Sequence, residues 1–418
     1  MNIKILPGNA HGTVVAPPSK SYAHRLLICA ALAEGESRLS NIALSEDISA
    51  TIDCLRALGA EIQLSSDALT VRGGLHTAEA QARRAAFADK LPILPCRESG
   101  STLRFLIPPA LCCGGGTFSG TERLIARGFG VYEDLLSPRG VSFQKSTSSV
   151  TVRGQLLPGN YRIPGDVSSQ FVSGMLFALP TLAGESSLAV IPPVESRSYI
   201  EMTLSAMKDF GVNVESVAEN TYYFPGNTEY RAANIAAEGD WSQAAFFYAL
   251  NALGGNVTVK GLSEQSLQGD RVCTDLLQRL ETGFATIDLS DCPDLAPVLF
   301  AVAAAGHGAH FIGTRRLAIK ESSRAYAMAE ELRKFGTRVE LGQNEAVITH
   351  TPLHAPHDVL CGHNDHRIVM SLSVLATRTG GVISDAQAVR KSYPGFFRDL
   401  TRLGVAVEAD GETASLLL

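Results

Sequence analysis

Six stretches of the chain share one hydrophobic pattern. Each opens on Ser, Asp or Gly, runs apolar for about three helical turns, then meets Gly and an alternating segment. They open near Ser21, Ser101, Ser169, Asp240, Asp294 and Asp365, at spacings of 80, 68, 71, 54 and 71 residues. A second landmark is a helix that ends on glycine. It recurs at Gly59, Gly140, Gly211, Gly283, Gly336 and Gly404, at spacings of 81, 71, 72, 53 and 68. Each of these glycines is predicted to be a left-handed C-cap. The second copy is the weakest, because Pro138 falls in its last turn.

Two independent landmarks with nearly the same spacing define a repeat of about seventy residues. Each unit reads helix, strand, helix, strand–turn–strand, with a further strand leading into the next helix. Ala60 to Arg72 and Thr337 to His350 show the strand–turn–strand best. The fourth interval is short in both series, so the unit from Asp240 to Asp294 has lost residues. The fold class is α/β, and six units fit two similar domains of three. A symmetric boundary falls near residue 230, where Pro225 to Glu229 and Glu238-Gly239-Asp240 break the pattern. Residues 1–18 precede the first unit and can lend a strand to the other domain. The chain would then cross near 18 and near 238, giving domains of 1–18 with 239–418 and of 19–238. The six helix starts carry the unusual polar residues, and a symmetric arrangement would turn them to one interdomain cleft.

Composition narrows the partners. The chain has 418 residues, 45% hydrophobic and 19% charged, with a net charge of −6. Such an acidic balance gives no reason to expect nucleic acid. The N-terminus is too poor in apolar residues for a signal peptide, and the longest apolar run, Leu295 to Gly306, is broken by Pro297. Eight scattered cysteines without a CxxC pair read as mostly buried free thiols of a cytoplasmic protein.

The chemistry sits at the helix starts. In Pro17-Pro18-Ser19-Lys20-Ser21-Tyr22-Ala23-His24-Arg25, either Ser19 or Ser21 can cap a helix. Lys20 then stands at the N-terminus, where free N–H groups and the dipole favour an anion, and Arg25 shares a face with Ser21. Glu98-Ser99-Gly100-Ser101-Thr102 offers backbone N–H groups beside a glycine that admits close approach. Ser168-Ser169-Gln170 brings two hydroxyls and an amide, Arg123 and Arg127 are four apart, and Ser196-Arg197-Ser198-Tyr199 opens another helix. Asp294 heads an apolar helix and is either an N-cap or a base in a dry site. Glu321, between Lys320 and Arg324, is either one side of an ion-paired face or a tuned proton donor. Asp365-His366-Arg367 and Lys391 complete the set. No carboxylate or Cys set completes a metal site around His363 and His366, so no metal is expected. No Gly-Lys dipeptide, GxGxxG or GxSxG occurs.

In their order, these residues resemble the 3-phosphoshikimate 1-carboxyvinyltransferase (5-enolpyruvylshikimate-3-phosphate synthase) family across essentially the whole chain. The resemblance implies two similar domains of three repeated α/β units each, the inside-out α/β barrel of the enolpyruvyl transferases, with the site in the cleft between them. It implies transfer of the enolpyruvyl group of phosphoenolpyruvate to the 5-hydroxyl of shikimate 3-phosphate, with no cofactor, no membrane partner and a monomeric enzyme. By resemblance, Ser21, Arg25, Ser168, Ser169, Ser196 and Lys320 would hold shikimate 3-phosphate, and Gln170 and Tyr199 would line the cleft. Lys20, Gly100, Arg127, Arg324, Arg367 and Lys391 would hold phosphoenolpyruvate. Asp294 would take the hydroxyl proton, Glu321 would protonate the methylene carbon, Lys391 would join the catalytic group and His366 would line the site. Glu98, Gly128, Arg316 and Ser323 depart from the family pattern. Two other readings are a sister enzyme acting on a UDP-sugar and a non-catalytic phosphometabolite-binding protein. The sister family's Ala-Lys-Asn start and loop cysteine are missing, whereas Asp294, Glu321 and Lys391 are all present.

Overall fold

A computed structural model describes residues 1–75 and 91–409. The chain divides into two compact units, Pro18–Glu238 and the discontinuous Met1–Pro17 with Gly239–Leu418. Both are mixed α/β, built from repeated helix and sheet modules.

In the Pro18–Glu238 unit, helices Lys20–Leu32, Gly100–Leu111 and Ser169–Ala178 have almost no polar face, and nearly every residue along them is buried. A helix apolar all round must sit inside, because any exposed face would leave hydrocarbon in water. Gly100–Leu111 packs on Ser169–Ala178. Gly174 permits the approach: a Cβ there would lie 2.2 Å from the Tyr132 hydroxyl and 2.6 Å from the Arg104 carbonyl. The amphipathic helices Glu46–Ala57 and Arg197–Asp209 bury one side only.

Three four-stranded sheets accompany these helices, in the orders Asn234–Ala236, Glu36–Ser40, Ala68–Arg72, Glu61–Leu64; Ile93–Arg97, Gly115–Gly120, Ser149–Arg153, Ser142–Lys145; and Asn160–Pro164, Ser186–Ile191, Thr221–Phe224, Glu215–Ala218. Each joins a parallel pair to an antiparallel hairpin, and in the second and third sheets that pair flanks a buried helix in sequence. The leading strand of the first sheet is Asn234–Ala236, contributed from the far end of the unit. Strands such as Glu36–Ser40 alternate exposed and buried residues, as a sheet with one wet face requires.

The other unit repeats the scheme with buried helices Trp241–Ala252, Ala296–Ala305 and His366–Thr379, which pack together. Its four-stranded sheet runs Ala285–Asp288, Ala309–Ile312, Glu345–Thr349, Arg338–Leu341. In the short fourth repeat the chain passes from helix Cys273–Thr282 straight to strand Ala285–Asp288, without the hairpin. Strand Asn256–Lys260 of that repeat pairs in parallel with His11–Val15, and the two form a two-stranded sheet. Ile3–Ile5 is the central strand between Gly381–Ile383 and Val407–Ala409.

Five of the six helix-ending glycines have positive φ, between 83° and 108°. Gly283 does not: at φ 162° it is extended backbone, because helix Cys273–Thr282 runs into its strand without a left-handed turn. Near Pro138 the α-helix Gly130–Leu136 gives way to a 3-10 turn, Ser137–Arg139, before Gly140. All eight cysteines are free thiols, five of them buried. Among the described residues no helix is long and apolar enough to cross a membrane.

Candidate active site

The Pro18–Glu238 unit presents one group of candidate residues. Ser19, not Ser21, caps helix Lys20–Leu32 by accepting from the Tyr22 N–H, so Lys20 is the first helical residue. The Lys20 Nζ donates to Asp47 Oδ2 at 2.8 Å, a pairing that no short-range pattern announces. Arg25 is 2% exposed and spends its guanidinium on Thr203 Oγ1, Ser21 O and Tyr199 O, at 2.8, 2.7 and 2.8 Å. It thereby ties helix Lys20–Leu32 to helix Arg197–Asp209, and burial pushes its pKa down to about 10.

Ser99 caps helix Gly100–Leu111 and Ser168 caps Ser169–Ala178. A Cβ at Gly100 would meet the Arg127 guanidinium at 3.2–3.3 Å, so the glycine and that arginine are neighbours. Gly128 sits at φ +87°, a conformation closed to proline, which accounts for glycine there. Gln170 accepts from Arg104 Nη1 at 2.7 Å and donates to Ser101 Oγ at 3.0 Å. Arg104 also donates to the Arg127 and Gly128 carbonyls, so one side chain fixes both Gln170 and the arginine loop. Ser196 is 2% exposed and holds φ +55°, a strained left-handed conformation at the head of helix Arg197–Asp209. The Tyr199 ring stacks 5.8 Å from the Arg25 guanidinium carbon.

The other unit presents the carboxylates. Asp294 is not an N-cap. It lies in a 3-10 turn, Pro293–Leu295, and helix Ala296–Ala305 begins beyond it without a side-chain cap. Its carboxylate instead takes three cations: Arg324 Nη1 at 2.7 Å, Lys320 Nζ at 3.1 Å and Arg367 Nη2 at 3.1 Å. Burial pushes the Asp294 pKa up, but Arg367, Lys320 and Arg324 together outweigh it and hold the group ionised, well below the usual carboxylate range. Burial lowers the pKa of Lys320, offset in part by Asp294. Arg324, 1% exposed, also binds Glu321 at 2.7 Å and Asp365 at 2.9 Å. Asp365 caps helix His366–Thr379 through the Arg367 N–H, which places buried His366 at its first position. Lys391 donates to the Asn364 carbonyl at 2.6 Å.

His363 does meet carboxylates, and they come from helix Arg324–Arg333 rather than from its own segment: Glu330, Glu331 and His363 gather within 4.8 Å. Lys334 already sits on Glu331 at 2.9 Å, and the Cys361 N–H donates to the same carboxylate, which makes this an ion-paired structural cluster. The departure at Arg316 places a buried guanidinium that donates to the Ser290 carbonyl. Ser323 stands before helix Arg324–Arg333 without making a side-chain cap. The contribution of Asp47 was not visible in sequence, because its partner Lys20 lies 27 residues away.

The arrangement gives two gatherings of cations, the second around the Asp294 and Glu321 carboxylates, suited to polyanions. Comparisons with known proteins agree. A family model described as EPSP synthase (3-phosphoshikimate 1-carboxyvinyltransferase) matches residues 6–287 and 272–400. A 3-phosphoshikimate 1-carboxyvinyltransferase of Clostridium kluyveri is 37% identical, over 97% of this chain and 98% of that protein. One of Clostridioides difficile is 36% identical over the same shares. Among solved structures, an EPSP synthase of Acinetobacter baumannii superposes with TM-score 0.76 at 22% identity, covering 98% of this chain and 100% of that one. An enolpyruvyl transferase of Streptomyces tendae gives TM-score 0.74 at 16% identity, covering 97% and 98%. The two solved structures establish a shared fold, and the family model and close relatives establish more: this chain belongs to the EPSP synthase (3-phosphoshikimate 1-carboxyvinyltransferase) family.

Proposed function

We propose that the chain transfers the enolpyruvyl group of phosphoenolpyruvate to the 5-hydroxyl of shikimate 3-phosphate and releases phosphate. The observation that carries this reading is the Asp294 carboxylate held by Lys320, Arg324 and Arg367, with Glu321 on the same arginine. Family membership supplies the substrates.

Addition needs a proton on the methylene carbon of phosphoenolpyruvate and the loss of one from the attacking hydroxyl. Glu321 gives the first and Asp294 takes the second, as the hydroxyl oxygen bonds to C2. Elimination then breaks the C2–O bond to phosphate and returns a methyl proton to the enzyme, which re-forms the carbon–carbon double bond and leaves the product as an enol ether. An Asp294 saturated by three cations is a weak base. An arriving phosphoenolpyruvate would draw Arg324, Arg367 and Lys391 to its own charges and so raise the basicity of Asp294 when it is needed. Lys20, Gly100, Gln170 and Arg127 would complete the phosphoenolpyruvate set. Ser21, Arg25, Ser168, Ser169, Ser196, Tyr199, Lys320 and Gln170 would hold shikimate 3-phosphate. An acidic protein that binds two polyanions must concentrate its cations locally. The scheme calls on no metal or organic cofactor and fits a monomeric cytoplasmic enzyme with small-molecule partners.

The test is phosphate release. It requires both substrates together and falls by at least about a hundredfold in Asp294→Ala and in Glu321→Ala, the scale of a lost general acid or base. Release that proceeds with a UDP-sugar acceptor, or binding of shikimate 3-phosphate without release, would refute the assignment.

A further inference from the structure

We propose that Asp270 and Ser242 are positioning residues for this reaction: a buried relay that locks the Arg367 guanidinium against Asp294. The inference rests on the function proposed above.

Ser242 is the second residue of helix Trp241–Ala252, and Asp270 lies in the 3-10 turn Gly269–Val272. Gln268 fastens that turn to the helix head, accepting from the Trp241 N–H at 3.0 Å and donating to the Gly239 carbonyl at 2.7 Å. The Ser242 hydroxyl donates to Asp270 Oδ2 and accepts from Arg367 Nη2 at 3.1 Å. The same Nη2 donates to Asp294 Oδ2 at 3.1 Å, and Nη1 donates to the Asp294 carbonyl at 3.1 Å. Asp270, Ser242 and Arg367 are 2%, 6% and 4% exposed, so water does not compete for these bonds. A hydroxyl has one proton. By committing it to Asp270, Ser242 must turn a lone pair to the arginine, and the guanidinium is held in one orientation.

The charge on Asp270 then matters. The groups around it are Asp294, Asp240, Arg367 and Lys320, with the Cys273 and Cys292 thiols on neighbouring turns. Burial, reinforced by Asp294 and Asp240 against Arg367 and Lys320, raises its pKa to about 7. Below that pH Asp270 is neutral, and Arg367 has its full charge for Asp294 and for a substrate anion. Above it, a second carboxylate draws on the same guanidinium and weakens its hold on phosphoenolpyruvate.

The experiment is steady-state kinetics on the full chain with Asp270→Asn, Asp270→Ala and Ser242→Ala, from about pH 6 to about pH 8. Asp270→Asn keeps an acceptor for the hydroxyl but cannot ionise. The ratio of the wild-type KM for phosphoenolpyruvate to that of Asp270→Asn should rise several-fold across the range; ionisation of the substrate cancels in the ratio. Asp270→Ala and Ser242→Ala should raise that KM about tenfold while kcat and the KM for shikimate 3-phosphate move less, the scale of a lost hydrogen bond to a charged group. A ratio that stays flat with pH, or Ala variants that lower only the melting temperature, overturns the relay while leaving the assigned reaction intact. Absence of wild-type turnover overturns the reading beneath it, and the relay with it.

Discussion

Asp365 shows how one residue serves structure and site together. It is fully buried and accepts from Arg324 Nε at 2.9 Å, from the Ser322 hydroxyl and N–H, and from the Arg367 N–H at the helix start. Burial pushes its pKa up, but Arg324 outweighs burial and holds it at about 2. The folded value is depressed below the ordinary carboxylate value of about 3.9, so the stabilisation is complete above that pH and fades as pH falls toward 2. Asp365→Asn leaves Arg324 with less compensation in a dry site, which costs about 3–5 kcal/mol. A lower urea midpoint at neutral pH, with the gap to wild type narrowing below about pH 4, is the expected result. A gap that is constant across pH would mean that the residue acts as a helix cap alone.

At the scale of elements, the buried helices are what the sequence made legible. A helix without a polar side can lie only in a core, so Lys20–Leu32, Gly100–Leu111 and Ala296–Ala305 announce themselves, together with the polar residues at their heads. The short fourth repeat was legible as a spacing, but the partner of its strand Asn256–Lys260 was not. His11–Val15 pairs with Asn256–Lys260 across more than two hundred residues, and no local pattern encodes a partner so distant. The same limit hid Asp47 beside Lys20 and Asp270 behind Arg367, and it left cap and base indistinguishable at Asp294. Helix contact carries its own prediction. Gly174→Ala places a methyl 2.2 Å from the Tyr132 hydroxyl and 2.6 Å from the Arg104 carbonyl, and so forces Ser169–Ala178 away from Gly100–Leu111. It should cost about 1–3 kcal/mol, and should also weaken phosphoenolpyruvate binding, because Arg104 carries Gln170. Gly130→Ala, which meets nothing within 4 Å, is the control, expected to stay within about 0.5 kcal/mol of wild type. Equal melting temperatures for the two variants would remove the packing argument.

At the scale of the whole molecule, the chain builds two hydrophobic cores that share no residue. One draws on positions from Ala23 to Ala237, the other on Ile3 to Val14 together with Trp241 to Val405. The first core is therefore continuous in sequence and the second is not. Ile3 and Ile5 are 1% and 0% exposed in the middle of a three-stranded sheet, and Val14 is 7% exposed on the strand that pairs with Asn256–Lys260. Burying each of these side chains contributes about 1.5–3 kcal/mol. Three of them are comparable with the whole stability of a domain, about 5–15 kcal/mol. Residues 18–238 expressed alone should thus unfold in one cooperative thermal transition. Residues 239–418 alone should not, and a peptide of residues 1–17 added in trans should restore the transition, with a midpoint that rises with peptide concentration. Cooperative unfolding of 239–418 without the peptide would show that the N-terminal strands decorate that core rather than complete it. Binding of the peptide distinguishes the two cases, because strands that complete a core gain affinity from the same buried isoleucines that stabilise the intact chain.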